Sequence, residues 1–250
     1  DSSTSRGLGD VYKRQMINKW NFQTPSEEEL HKRDQLVAEL GFSPVICLLL
    51  VQRGITSIEE AKKFFKPSLN DLHDPFLMPD MDKAVRRLNK ALGNKEKILI
   101  YGDYDVDGTT AVSLVFKYLR PYSSTLDFYI PDRYDEGYGI SYKGIDYAAE
   151  NGVSLVISLD CGIKAIEKIE YAKEKGIDFI ICDHHMPDAT LPDAVAVLDA
   201  KRSDSIYPYE HLSGCGVGFK FMQAFAKSNN FPFSDLEKLL ELTAVSIASD

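Results

Sequence analysis

Three short apolar runs, each closing on acidic residues, constrain this chain more than anything else in it. Lys97-Ile98-Leu99-Ile100-Tyr101 leads to Asp103, Asp105 and Asp107. Residues 155–159 (Leu-Val-Ile-Ser-Leu) lead to Asp160. Phe179-Ile180-Ile181-Cys182 leads to Asp183, His184 and His185. Runs this short and this β-rich read as buried parallel strands. Ligands in open α/β sheets gather beyond the carboxyl ends of such strands. The three segments are therefore expected to bring carboxylates and imidazoles to one edge of one sheet. Hard oxygen donors mixed with histidine suit Mn²⁺ or Mg²⁺, and this many carboxylates suit two ions rather than one.

The remaining pattern supports an α/β fold: a mostly parallel, doubly wound sheet preceded by a small helical segment. Helices are expected over 109–120, 141–151 and 164–175, and strands over 126–130 and 194–198. Alternation at this spacing builds a parallel sheet with helices on both faces. Two further helices are expected at 217–227 and 234–247. Residues 16–80 read as helical: Ser26 with Glu27, Glu28 and Glu29 makes a helix start, Ser43-Pro44 a second and Ser57 a third. The expected division is therefore a helical segment at 16–80 and a catalytic domain at 81–250. Residues 1–15 resemble translated cloning read-through, with Met16 as the expected start. The apolar helical run that stops at Asp250 reads as a C-terminal truncation.

Composition narrows the class. With 44% hydrophobic and 27% charged residues, the chain is an ordinary globular one. No apolar run approaches the roughly 20 residues of a membrane span. Four cysteines without a CxxC pair argue against a disulfide framework or zinc site and read as free thiols of a cytoplasmic protein. A net charge of −9 argues against a broad basic surface for duplex DNA, although bound cations would reverse the sign around the acidic cluster.

Each position has a bland reading to set beside the chemical one. Asp103-x-Asp105-x-Asp107-Gly108 opens like an EF-hand loop, but a strand precedes it and its twelfth position is Leu114 rather than Glu. Three acids packed after a buried strand repel one another unless a cation or a basic group sits among them. Asp160 alone would be a turn residue; after a strand and before Gly162 it is a candidate bridge between two ions. His184 and His185 point apart, so one can bind metal while the other faces substrate, with Asp183 orienting an imidazole. Gly214 and Gly216 lie in a glycine-rich loop before a helix and could present amides to a phosphate, or merely make a tight turn. Arg133 is a candidate phosphate clamp and Tyr138 a candidate stacking platform.

These clusters, in this order, resemble the DHH phosphoesterase superfamily, named for the triplet at 183–185. Within it the chain is most similar to the bacterial single-stranded-DNA-specific exonucleases. The closer match rests on residues 101–108, on 130–139 around Arg133 and Tyr138, on 159–162, on 182–187, on 212–220, and on the 66–76 segment. The resemblance implies metal-dependent phosphodiester hydrolysis, a 5′→3′ exonuclease acting on single-stranded DNA in repair and recombination. It implies Asp105, Asp107, Asp160, His184 and Asp250 as metal ligands, Asp103 as an addition, and His185 at the scissile phosphate. A single-strand-binding protein or a helicase would be the partner. Many relatives carry His where Tyr101 stands, and the family's second domain and nucleic-acid-binding module would follow Asp250. Two alternatives are a phosphoesterase for short oligonucleotides, cyclic dinucleotides or pyrophosphate, and an inactive replication scaffold.

Overall fold

The computed structural model describes residues 24–250; the expected leader at 1–15 and the start at Met16 lie outside them. The described chain divides after Leu72 into two compact units.

The first unit holds α1 (Glu27–Leu40), α2 (Pro44–Gln52) and α3 (Ile58–Phe65). Local signals set their bounds. Ser26 and Glu29 form a capping box, as do Ser57 and Glu60, and Gly41 ends α1 in the left-handed conformation at φ 68°. Leu36, Cys47, Leu50, Val51 and Ala61 make a small core.

The second unit begins earlier than the expected boundary near residue 80. The reason lies in the last long helix of the unit, whose two lysines hold the connecting segment. Lys220 Nζ donates to the His73 carbonyl at 2.9 Å, and Lys227 Nζ to Asp74 at 2.9 Å. The elements then run α4 (Met81–Gly93), β1 (Lys97–Gly102), α5 (Val106–Leu119), β2 (Leu126–Tyr129), α6 (Tyr142–Glu150), β3 (Val153–Leu159), α7 (Ile166–Glu174), β4 (Asp178–Cys182), β5 (Ala196–Leu198), α8 (Gly214–Ser228), α9 (Phe233–Glu237) and α10 (Leu240–Ser249).

All strand pairs are parallel, in the order β2-β1-β3-β4-β5. Both faces are covered over β1, β3, β4 and β5, which are almost wholly buried, while the edge strand β2 is partly exposed. Leu99, Tyr101, Val156, Phe179 and Ile181 face α6 and α7, while alternate residues such as Ile100 and Ile157 point to the opposite face, where α5 and α8 pack. The winding reverses between β1 and β3, the switch point at which such sheets open a crevice.

Three local differences from the sequence pattern matter. Helix α5 starts at Val106 rather than 109, because the Asp105 carboxylate accepts the Gly108 amide at 2.9 Å and caps it. Helix α8 starts at Gly214 rather than 217, because Ser213 Oγ accepts the Gly216 amide at 3.1 Å. The single helix expected over 234–247 is two, broken at 238–239 so that Leu236 and Leu239 are both buried. No helix among the described residues is long and apolar enough to cross a membrane.

Candidate metal centre

Strand register aligns the carboxylates. Gly102 pairs with Leu159, Leu159 with Cys182, and Cys182 with Leu198. The next residue along each strand is an aspartate: Asp103, Asp160, Asp183 and Asp199, all buried. Asp199 was missed in the sequence, although its signal was the same as the others, an apolar run ending in Asp.

Helix α5 folds back over this row. A side chain at Gly108 would place its Cβ 2.5 Å from the Asp103 carbonyl oxygen, so glycine is required for the first turn to sit this close. That turn carries Asp107 into the site. The α8 N-terminus holds it there, with the Gly214 and Cys215 amides each donating to its carboxylate at 2.7 Å and Ser246 Oγ of α10 donating at 2.7 Å. The glycine-rich segment thus serves a carboxylate, not an open anion cradle: the Gly214 amide is engaged by Asp107 and the Gly216 amide by Ser213. The phosphate role expected for Gly214 and Gly216 does not fit this arrangement. Gly214 has a different necessity, since a Cβ there would lie 2.5 Å from the Asp160 Cβ.

His184 stands at the centre. Its Nε2 is 3.2 Å from Asp160 Oδ1 and 3.7 Å from Asp107 Oδ2, and its Nδ1 is 3.6 Å from Asp250 Oδ2. Two overlapping groups have donor atoms within 4.8 Å of one another: Asp160, His184 and His185, and Asp107, His184 and Asp250. Asp103 and Asp105 stand outside both groups. Asp105 is exposed and spends one oxygen on the α5 cap; Asp103 is buried behind it.

The electrostatics are those of a site short of positive charge. Asp103 Oδ2 and Asp160 Oδ1 are buried without a hydrogen-bond donor, the His184 contact to Asp160 lying off a bonding line. Burial first, and then Asp107 and Asp105, push the Asp160 carboxyl up to about 7. Burial opposes charge on His184, yet Asp160, Asp250 and Asp107 raise it to about 9. Buried oxygens without donors are uncommon, and cations would satisfy them. The donor set fits divalent ions that prefer oxygen with some imidazole.

Asp183 has a different task. One oxygen accepts the Ile163 amide at 2.9 Å; the other accepts the His184 amide at 2.8 Å and lies 2.7 Å from His185 Nδ1. Burial alone would raise its pKa, but these bonds hold it below the usual range. His185 is raised, chiefly by Asp183. Its Nε2 is left pointing outward, 3.1 Å from the Tyr138 hydroxyl. Tyr138 sits edge-on to Tyr104, over which Arg133 lies at 5.3 Å. Arg133 is exposed and makes no ion pair among the described residues. Tyr101 is not at the metal donors at all. Its buried hydroxyl donates to the Gly139 carbonyl and accepts the Ser141 amide, both at 3.0 Å, pinning the loop that carries Tyr138.

Residues 97–247 match the model of the DHH family, N-terminal domain. The chain is 39% identical over 232 residues to the single-stranded-DNA-specific exonuclease RecJ of Bacillus subtilis (strain 168), covering 93% of this chain and 28% of that protein. It is 31% identical to the Escherichia coli (strain K12) RecJ, covering 89% of this chain and 39% of that one. Among solved structures it is similar to an exonuclease RecJ bound to manganese (TM-score 0.62, 28% identity, 68% of this chain and 43% of that one). It shares the fold of Thermus thermophilus RecJ in complex with Mn²⁺ (TM-score 0.71, 24% identity, 90% of this chain and 31% of that one). The chain thus spans less than half the length of these relatives.

Proposed function

The chain belongs to the DHH family, and from that premise we propose that it carries the metal-binding part of a phosphodiesterase site that removes nucleotides from single-stranded DNA. The observation that carries this reading is the register-aligned row of buried aspartates beside His184 at the switch point of the sheet, with three of their carboxylate oxygens, on Asp103, Asp160 and Asp199, lacking donors. The similarity to RecJ proteins supports the substrate class.

Asp107, Asp160, His184 and Asp250 would hold two Mn²⁺ or Mg²⁺ ions, with Asp160 the candidate bridge and Asp103 and Asp105 completing the shells. Bound there, the ions supply Lewis acidity toward the phosphodiester and neutralise its charge. The chain's own groups do the rest. Asp183 fixes the His185 ring by Nδ1 and favours its imidazolium form, whose Nε2–H would donate to a phosphoryl oxygen; His185 is the catalytic contact and Asp183 its orienting partner. In the absence of substrate Tyr138 occupies that nitrogen and must yield it. Arg133, cationic and unpaired, is placed to meet a backbone phosphate.

The test is hydrolysis with Mn²⁺ of single strands labelled at the 5′ or the 3′ end, of duplex, of a dinucleotide and of pyrophosphate. Stepwise release from one end of the single strand, with duplex resistant, is expected. Faster turnover of pyrophosphate or the dinucleotide would replace the single-strand reading, and no Mn²⁺-dependent cleavage of any of them would refute the phosphodiesterase.

A further inference from the structure

Between Tyr129, which ends β2, and Ser141, which caps α6, the chain gathers around one half-buried carboxylate, Glu136. The Tyr129 hydroxyl lies 2.9 Å from both of its oxygens. The Asp132 amide donates to Oε1 at 2.9 Å, and the Ser141 hydroxyl donates to Oε2. The Glu136 amide in turn donates to the Asp132 carbonyl at 2.9 Å. The other acids of the loop are engaged elsewhere: Asp132 accepts the Tyr134 and Asp135 amides, and Asp135 pairs with Lys143. Glu136 thus ties both ends of the loop together through neutral donors.

We propose that Glu136 is a positioning residue for His185, acting through Tyr138. The inference rests on the phosphodiesterase reading and deepens it. Tyr138 stands between Gly137 and Gly139, both left-handed at φ 81° and 79°. Glu136 clamps the chain on one side of it. Tyr101 clamps the other, through the Gly139 carbonyl and the Ser141 amide. The two clamps meet at Ser141, whose hydroxyl donates to Glu136 while its amide donates to Tyr101. Held in this way, the Tyr138 hydroxyl rests 3.1 Å from His185 Nε2. Asp183 lies 2.7 Å from Nδ1 of the same ring. A ring held at one nitrogen still turns about that bond. Held at both, it is aimed before a phosphate arrives to take the place of the hydroxyl.

The residue type matters. A carboxylate only accepts, and the three groups that face this one all donate. Glutamine has the same shape but would turn N–H groups toward donors. Glu136→Gln should therefore loosen the loop without leaving a hole.

The test reads His185 directly, with diethyl pyrocarbonate as the probe. The reagent carbethoxylates an accessible imidazole nitrogen, and peptide mass spectrometry gives the rate at each histidine of the whole chain, in EDTA at one pH. Tyr138→Phe should raise the His185 rate roughly fivefold, the factor that one net hydrogen bond supplies. Glu136→Gln should raise it by a similar factor. The double variant should go no further, because both changes remove one contact. His211, which is exposed, should react at the parent rate throughout and so reports on the fold. With Mn²⁺ and a labelled single strand, Glu136→Gln should lower kcat about tenfold, since misplacement by roughly 1 Å costs up to about a hundredfold. KM and the heat of Mn²⁺ binding should change little. Parent reactivity at His185 in Glu136→Gln would make Glu136 a staple of the loop and overturn the inference. So would a double variant in which the two effects multiply, or a kcat at the parent's level. If His185 responds as expected but the parent cleaves no phosphodiester, Glu136 positions the ring and the phosphodiesterase reading fails alone.

Discussion

Asp160 combines strain, burial and missing donors at one position. Its backbone is left-handed at φ 59°, a conformation that Asp tolerates better than most side chains, and burial holds its carboxyl up to about 7. Removing the charge should therefore relieve the apoprotein while depriving the ions of a donor. Asp160→Asn is expected to raise apoprotein stability by about 1–3 kcal/mol and to abolish the stabilisation by Mn²⁺; melting in EDTA and in Mn²⁺ reads both, and a full Mn²⁺ effect in the variant would take Asp160 out of the ligand set. Tyr101→Phe should do the reverse, costing about 1–3 kcal/mol as the Gly139 carbonyl and Ser141 amide lose their buried partner, with the Mn²⁺ effect kept. Asp199 permits a pH prediction. Burial, ahead of all other causes, raises its carboxyl from 3.8 to about 6. The folded state then holds the proton more tightly than the unfolded one, so this group's contribution is fully present below about pH 4 and is lost as pH rises through 6. Asp199→Asn should be more stable than the parent above pH 6 in EDTA, with the difference shrinking toward pH 4. A constant difference across that range would mean that Asp199 does not titrate there.

At the scale of elements, the N-terminus of α8 is a clamp. Its amides fix Asp107, and its first residue presses on Asp160. Gly214→Ala must displace one of them. A loss of about 1–3 kcal/mol in stability, typical of overpacking, is expected along with weaker Mn²⁺ binding by calorimetry; unchanged affinity would show that the site tolerates a shifted Asp160. Helix α10 is tied to the same carboxylate. Ser246 Oγ donates to Asp107 and lies 2.5 Å from Ser213 Oγ, so the helix that delivers Asp250 also orients Asp107. Groups that orient metal ligands commonly matter by 10- to 100-fold in affinity. Ser246→Ala should weaken Mn²⁺ binding by about tenfold, with Ser246→Thr recovering part of it; equal affinity in the parent and both variants would confine Ser246 to a structural role.

For the whole molecule, the two units differ in what holds them. Among the described residues, the first has five small or medium residues at its core, while the second surrounds a five-stranded sheet and contains every proposed ligand. Ions that bind only the folded second unit stabilise it by mass action, by about 2.7 kcal/mol at a hundredfold excess over Kd. Calorimetry is expected to show a Mn²⁺-dependent rise of roughly 5–10 °C in the melting of residues 73–250, with melting of α1–α3 unmoved if it is resolved. A scan unchanged by Mn²⁺ or Mg²⁺ would remove the metal site.

The strand runs, their trailing acids and the helix starts at Ser26, Ser43 and Ser57 were legible in the amino-acid sequence, because apolar periodicity and capping are decided within a few residues. The resemblance implied Asp103, Asp105, Asp107, Asp160, His184 and Asp250 as ligands; the structure brings Asp107, Asp160, His184 and Asp250 near one another and leaves Asp103 and Asp105 outside both groups. Only the tertiary structure decided how these residues divide the work. Register between strands put Asp199 in line with Asp103, Asp160 and Asp183. A contact across 107 residues gave the Gly214 amide to Asp107 instead of to a phosphate. A bond across 38 residues sent the Tyr101 hydroxyl to the loop of Tyr138 rather than to the metal donors. Such pairings are chosen by where whole elements pack, so no window of sequence contains them; the donors were written in the chain, and their partners were set by the sheet that brought the strand ends level.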